Sequence, residues 1–500
     1  MTVSARRQPA SDNDPDFRRL VRGAFLSAIS ILISMAALLI TGKLFTNALD
    51  QEQVGIFALL LVCSDFIIYA AGLGFAASMP KLIAAAGQED RKKIIASALA
   101  GQLMLLCAVS AAVLLLQAGI THPERISTHR GWLAVHGGLH LLPLLFVTGC
   151  LRDLILAMLA GLNRYGWRAG GITLASLTQV AAVWVFIWQG GGGLTALVIA
   201  LAASYALALA LLWIGLGSAA VPRFSQRHYR EAVLFSAPLY LNQVMNFFHQ
   251  RFDTVLVSLL AGVGYGAVYE MLKRIPLIVN RTLNALLVPY LPHISRLIAR
   301  EDRTQAAKVL NEAAALSAFI GYGAALFFTA LQTTLIPFLF NKEYLTGSTT
   351  LFLLLLAASL ALQSGVMAQM LIALGRNLSV PIVNMSTMAL CLFLDLLLIP
   401  RWGLAGAAGA AAFSSGCSYA LMVFWARYNG IRISLRSCAL PLLLLSISAL
   451  SLYYEMQNAL FRLLPPVLFT VLCLMTGVTS PGRLHAITKA LLPGSFSASD

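Results

Sequence analysis

Lys273, Arg274 and Arg281 sit inside an apolar stretch that runs from about Val268 to Pro289. A cation in hydrocarbon is costly, so such residues face a protein interior or a watery cavity. On a helix turning about 100° per residue, Glu270, Arg274 and Arg281 share one narrow arc, flanked by Lys273 and Asn284. The stripe is polar and net positive, the arrangement needed to hold an anion. The stretch before it carries a second stripe. Asn242, Asn246, His249 and Asp253 are spaced four, three and four, which puts them on one helical face, widened by Gln243 and Gln250. A helix with one polar face inside a bilayer must turn that face to partners or water. Arg251 points the opposite way and is not grouped with them.

The two stretches form a hairpin turning near Gly262–Gly264, which sets Asp253 at the depth of Glu270 and Lys273. Two readings stay open there: an ion pair that orients the hairpin, or carboxylates that couple transport to an ion. Arg281 lies about midway along its stretch, with no acidic residue one turn away. It is therefore read as an unpaired cation facing water or an anionic ligand. Arg152 and Asp153 lie mid-stretch elsewhere and diverge by about 100°, so they are not expected to satisfy each other. Arg152 is the second candidate for anion contact. Asp65, an isolated carboxylate midway along another stretch, leaves two readings open: a proton-binding group suited to ion coupling, or a buried neutral acid hydrogen-bonded to a serine. Asp395 lies nearer an end and reads as ordinary. His122, His129, His136 and His140 cluster without cysteine and with only Glu124, so an outer loop is expected and no metal site.

What positions these residues is a membrane. Of 500 residues, 59% are hydrophobic and 11% charged, where soluble domains approach a quarter charged, and the mean hydropathy is +0.80. Apolar stretches near the length of a bilayer crossing recur from end to end. They fall near 23–46, 55–79, 94–118, 137–160, 170–189, 194–217, 235–260, 266–291, 310–333, 350–374, 379–400 and 403–426. A shorter pair at 438–455 and 463–479 is broken by Pro465-Pro466. The expected fold is an all-α integral membrane protein of 12–14 spans.

The net charge of +15 does not indicate nucleic acid, because about 24 of the 35 cations fall in segments of one side, the cytoplasmic one by the usual bias. Both termini are then cytoplasmic. The seven cysteines lie singly, with no disulfide or metal spacing. Phe57 and Tyr269, Pro80 and Pro292, and Arg164 and Arg376 are each 212 residues apart. That offset implies two pseudo-symmetric six-helix lobes in parallel repeat, an architecture whose sites lie near mid-membrane. The organisation expected is a tail at 1–22, an N-lobe at 23–217, a linker at 218–234 and a C-lobe at 235–426. A C-terminal helix pair and tail follow at 427–500.

Several stretches resemble the bacterial polysaccharide transporters, the O-antigen-type flippases of the multidrug/oligosaccharidyl-lipid/polysaccharide exporter superfamily. Arg251–Ser295 carries the Asp253, the Gly262–Tyr265 turn and the closing Pro292-His293-Ile294-Ser295. Ile372–Ala411 carries Gly375-Arg376, Ile399-Pro400 and Gly403-Leu404-Ala405-Gly406-Ala407-Ala408. Val54-Gly55-Ile56-Phe57, Gly72-Leu73-Gly74 and Phe338-Leu339-Phe340 with Tyr344 also fit. The resemblance implies a flippase that moves a polyprenyl-diphosphate-linked oligosaccharide across the bacterial inner membrane by alternating access, with H+ or Na+ coupling and no other cofactor. Its partners would be the lipid-linked substrate, membrane lipid and polysaccharide polymerase or export machinery. Substrate contacts would then come from Arg281, Arg152, Arg274, Lys273, Asn242, Asn246 and Asn284. Ion coupling would come from Asp65, Asp253 and Glu270.

Rival classes fit less well. An outer loop of about Gly119–Val135 is too short for a catalytic domain and lacks an acidic pair for glycosyl transfer. Gly42-Lys43 is followed by Leu44, so no ATP-binding loop is present. A drug exporter should line its cavity with acids, whereas the mid-membrane excess here is positive. A flippase for the peptidoglycan precursor, also a diphosphate lipid, remains the alternative.

Overall fold

Inside a bilayer every backbone N–H and C=O must be paired within its own segment, which leaves a long apolar chain little choice but helix. The computed structural model describes residues 15–120, 141–190, 193–217, 221–286, 290–345, 348–376, 378–434, 440–448 and 463–476. Among them every long element is helical. The chain divides into two compact units, Met1–Arg251 and Phe252–Asp500.

The first unit holds α1 (Pro15–Ala48), α2 (Gln51–Ala71), α3 (Phe75–Ala85), α4 (Gln88–Ile120), α5 (Leu142–Gly161), α6 (Tyr165–Gly190) and α7 (Gly193–Leu216). It ends within α8 (Gln226–Leu260), so the division falls inside a helix rather than in the 218–234 connection. Its core gathers Phe75, Met79, Ile83, Leu99, Ile155 and Met158. The large apolar residues left outside, such as Leu115, Leu116 and Ile214, need no water-excluding partner if lipid covers them.

The second unit begins at the end of α8 and continues with α9 (Val263–Leu286), α10 (Tyr290–Ala299), α11 (Arg303–Ala330), α12 (Gln332–Leu339), α13 (Ser348–Ala373), α14 (Ser379–Tyr428) and α15 (Leu464–Met475). Its core is built around Ile294, Leu310, Tyr322, Met367, Met370 and Phe469. The two units repeat one order of elements. Gln51 and Val263, which open α2 and α9, are 212 residues apart; so are Gly161 and Ala373, which close α5 and α13.

Nine of the described helices are long and apolar enough to cross a membrane. One of them, α14, is a 50-residue helix bent at Gly403, whose φ of 55° and ψ of −129° suit only glycine. Its arms match the two spans read at 379–400 and 403–426. Counting those arms apart and adding α8 and α9, which carry the polar stripes, brings the number to twelve. The second span is also broken. It leaves helical geometry at Gly72–Gly74, with Leu73 at φ 50° and Gly74 at φ 75°. A Cβ at Gly74 would lie 2.8 Å from Tyr240 N, so only glycine lets the break approach α8. The histidine group at 122–140 and part of the C-terminal pair lie outside the described residues.

Candidate functional site

In the second unit the hairpin of α8 and α9 does set Asp253 beside Lys273. The ammonium donates to both carboxylate oxygens of Asp253, at 2.7 and 2.9 Å. Tyr269 Oη donates to the same carboxylate at 3.0 Å, and the Thr254 N–H at 2.8 Å. Thr254 Oγ1 in turn donates to Glu270 Oε2 at 3.1 Å. Lys273 is thus neutralised by a fixed partner, and the positive stripe of α9 narrows to Arg274 and Arg281.

Arg274 is 7% exposed, whereas Arg281 and Asn284 lie on an exposed face. Neither arginine is without an interaction partner, which corrects the reading of Arg281 as unpaired. Asn284 Nδ2 donates back to Asn280 O on its own helix at 2.9 Å.

One residue passed over as ordinary stands out. Asp395 on α14 is 1% exposed, and its Oδ1 has no hydrogen-bond partner among the described residues. Cys391 Sγ is 3.8 Å from its other oxygen, and Asp253 and Lys273 lie within electrostatic range. The signal for it was the one that marked Asp65, a lone carboxylate in an apolar span; its burial comes from packing and could not be read from position.

In the first unit two of the candidate residues also form ion pairs. Arg251 Nη2 lies 3.0 Å from Asp65 Oδ2, so Asp65 is not isolated and Arg251 is its partner. Arg152 folds back on its neighbour: Nε and Nη2 reach Asp153 Oδ1 at 2.9 and 2.8 Å. The divergence of adjacent Cβ atoms is overcome by the length of the arginine side chain. Its guanidinium also lies 4.0 Å from the centre of the Tyr205 ring, a cation–π contact. Asn242, Asn246 and His249 are on α8, but their side chains lie outside the described residues. Among the described residues no three metal-ligating side chains gather.

The two units of one helix order are similar in fold to solved transporters of the MOP superfamily. Solved structures with this fold include the lipid II flippase MurJ in an inward closed conformation. It is 16% identical, with a TM-score of 0.71 over 93% of this chain and 100% of that one. A multidrug resistance MATE family transporter, inward-facing, is 14% identical, with a TM-score of 0.67 over 81% of this chain and 98% of that one. A MOP superfamily transporter from Pyrococcus furiosus, reported with a binding pocket of reversed polarity, is 13% identical. Its TM-score is 0.58 over 82% of this chain and 95% of that one. At these identities the likeness is one of fold. Residues 20–298 match the family described as Polysaccharide biosynthesis protein, and the chain belongs to that family. No curated protein matches it.

Proposed function

We propose that this protein is a flippase for a polyprenyl-diphosphate-linked oligosaccharide in the bacterial inner membrane, with both termini cytoplasmic. It is a secondary transporter working by alternating access. The observation that carries the reading is Arg274, a guanidinium held 7% exposed in a span of a polysaccharide-family protein. A diphosphate needs bidentate, permanently charged donors, which guanidinium groups supply. Arg274, Arg281 and Arg152 take that part, with Asn284 and the amides of α8 at Asn242 and Asn246 for sugar hydroxyls. Lys273 acts through Asp253 rather than on the substrate. Coupling to H+ or Na+ rests with Asp253, Glu270 and Asp395 in the second unit and Asp65 in the first. Polymerase and export proteins would take up the product on the far side.

Deleting the gene tests this. Accumulation of a diphosphate-linked oligosaccharide on the cytoplasmic leaflet supports it. Accumulation of the peptidoglycan precursor supports the lipid II alternative, and unchanged lipid intermediates with altered drug sensitivity support a multidrug exporter.

A further inference from the structure

Arg152 is gripped along one edge and covered on one face. A guanidinium carries five N–H donors in a single plane, and either of two edges can hold a pair of oxygens. Asp153 Oδ1 takes the edge of Nε and Nη2, at 2.9 and 2.8 Å. The other edge, between Nη1 and Nη2, points away from that carboxylate, in a side chain that keeps 21% of its exposure. Both bonds to Asp153 end on one oxygen, so they leave the guanidinium plane room to roll about that point. Tyr205 on α7 restrains it, with its ring centre 4.0 Å from the guanidinium carbon. Tyr205 Cε2 also comes within 3.8 Å of the point where Gly149, three residues before Arg152, would carry a Cβ. Residues three apart share a helix face, so the ring lies along α5 beside both of them.

We propose that Tyr205 is a positioning residue: its ring sets the plane of the Arg152 guanidinium so that the Nη1–Nη2 edge meets one phosphate of the substrate. The inference rests on the reading of Arg152 as a diphosphate contact. A polar residue in the place of Tyr205 would orient the guanidinium by taking up its N–H groups. The ring attracts the cation through its face and takes up none, and that attraction is strongest where water is scarce. The donors that Asp153 leaves are therefore kept for the ligand. With one face covered, a bidentate partner must approach in the plane of the group. That geometry suits two oxygens on one centre, as a phosphate offers, over a lone sugar hydroxyl. A plane fixed beforehand also spares the freedom that binding would otherwise have to remove.

Calorimetric titration of the purified full chain in mixed micelles with farnesyl diphosphate tests the role. Tyr205→Phe keeps the ring and should bind within about twofold of the wild type, whereas Tyr205→Leu should bind about tenfold more weakly. Pentafluorophenylalanine placed at 205 keeps the shape of the ring but reverses the charge on its face. It should bind as weakly as the leucine variant, and it decides the matter if that variant does not fold. In an Arg152→Gln background, itself weakened, Tyr205→Leu should cost nothing more, because the ring acts through the guanidinium. Unchanged affinity in the leucine and fluorinated proteins, beside a loss in Arg152→Gln, overturns the inference and leaves Arg152 as a contact. Equal losses in the phenylalanine and leucine variants give the role to the hydroxyl and overturn it too. So does a leucine effect that persists in full without Arg152. Undiminished binding by Arg152→Gln removes the diphosphate reading of Arg152 and the inference with it.

Discussion

Lys273→Met removes the cation from the pair that joins α8 to α9. Asp253 would keep only two neutral donors, Tyr269 Oη at 3.0 Å and the Thr254 N–H at 2.8 Å, with its charge uncompensated. Removing one partner of a fully buried pair costs about 3–5 kcal/mol. The side chains here keep 22% and 13% of their exposure, so about 2–3 kcal/mol is expected for either Lys273→Met or Asp253→Asn. The double variant strands no charge and should lie within about 1 kcal/mol of the wild type, a coupling of at least about 3 kcal/mol. The assay is equilibrium unfolding of the purified chain in mixed micelles, with all four proteins of the cycle measured in one buffer. Additive losses, with coupling under about 0.5 kcal/mol, would refute the treatment of Asp253 and Lys273 as one neutral unit.

Arg152→Ala and Arg281→Ala should each lower glycan export by about tenfold or more while membrane insertion, followed by protease protection, stays normal. Asp65→Asn should weaken the dependence of transport on the proton or sodium gradient; an unaltered dependence removes Asp65 from coupling. Gly403→Ala should destabilise the chain by about 1–3 kcal/mol. Since a Cβ there meets nothing within 4 Å, a neutral result would show that α14 can bend without a glycine. Asp302, which caps α11, accepts from the Gln305 N–H at 2.9 Å and from Thr304 Oγ1 at 2.8 Å, and these bonds hold its carboxyl below the usual value. A lowered folded-state pKa stabilises above the unfolded value and is lost as pH falls through the folded one. Wild type should therefore exceed Asp302→Ala in thermal stability near neutrality, and the two should converge in acid.

The helices were legible because the bilayer imposes one rule on every segment, and the offset of 212 reappears in the ends of α2, α5, α9 and α13. The Asp253–Lys273 pairing could be reached from the sequence because a tight hairpin fixes depth. Partners far apart in the chain could not. Asp65 and Arg251 meet only through packing of α8 on α2, and nothing in the position of Asp395 announces its burial. Arg152 and Asp153 were misjudged from Cβ directions, which say little about a side chain long enough to turn back. The second span is read from the sequence as unbroken over 55–79, and its break at Gly72–Gly74 shows only in the backbone.

The most direct measurement reconstitutes the purified chain in proteoliposomes with a fluorescent polyprenyl-diphosphate-linked sugar and follows its passage between leaflets. The account expects passage with the wild type and its loss with Arg274→Ala or Arg152→Ala. Passage that survives both substitutions, or a wild type that moves organic cations and leaves the diphosphate lipid in place, would contradict it.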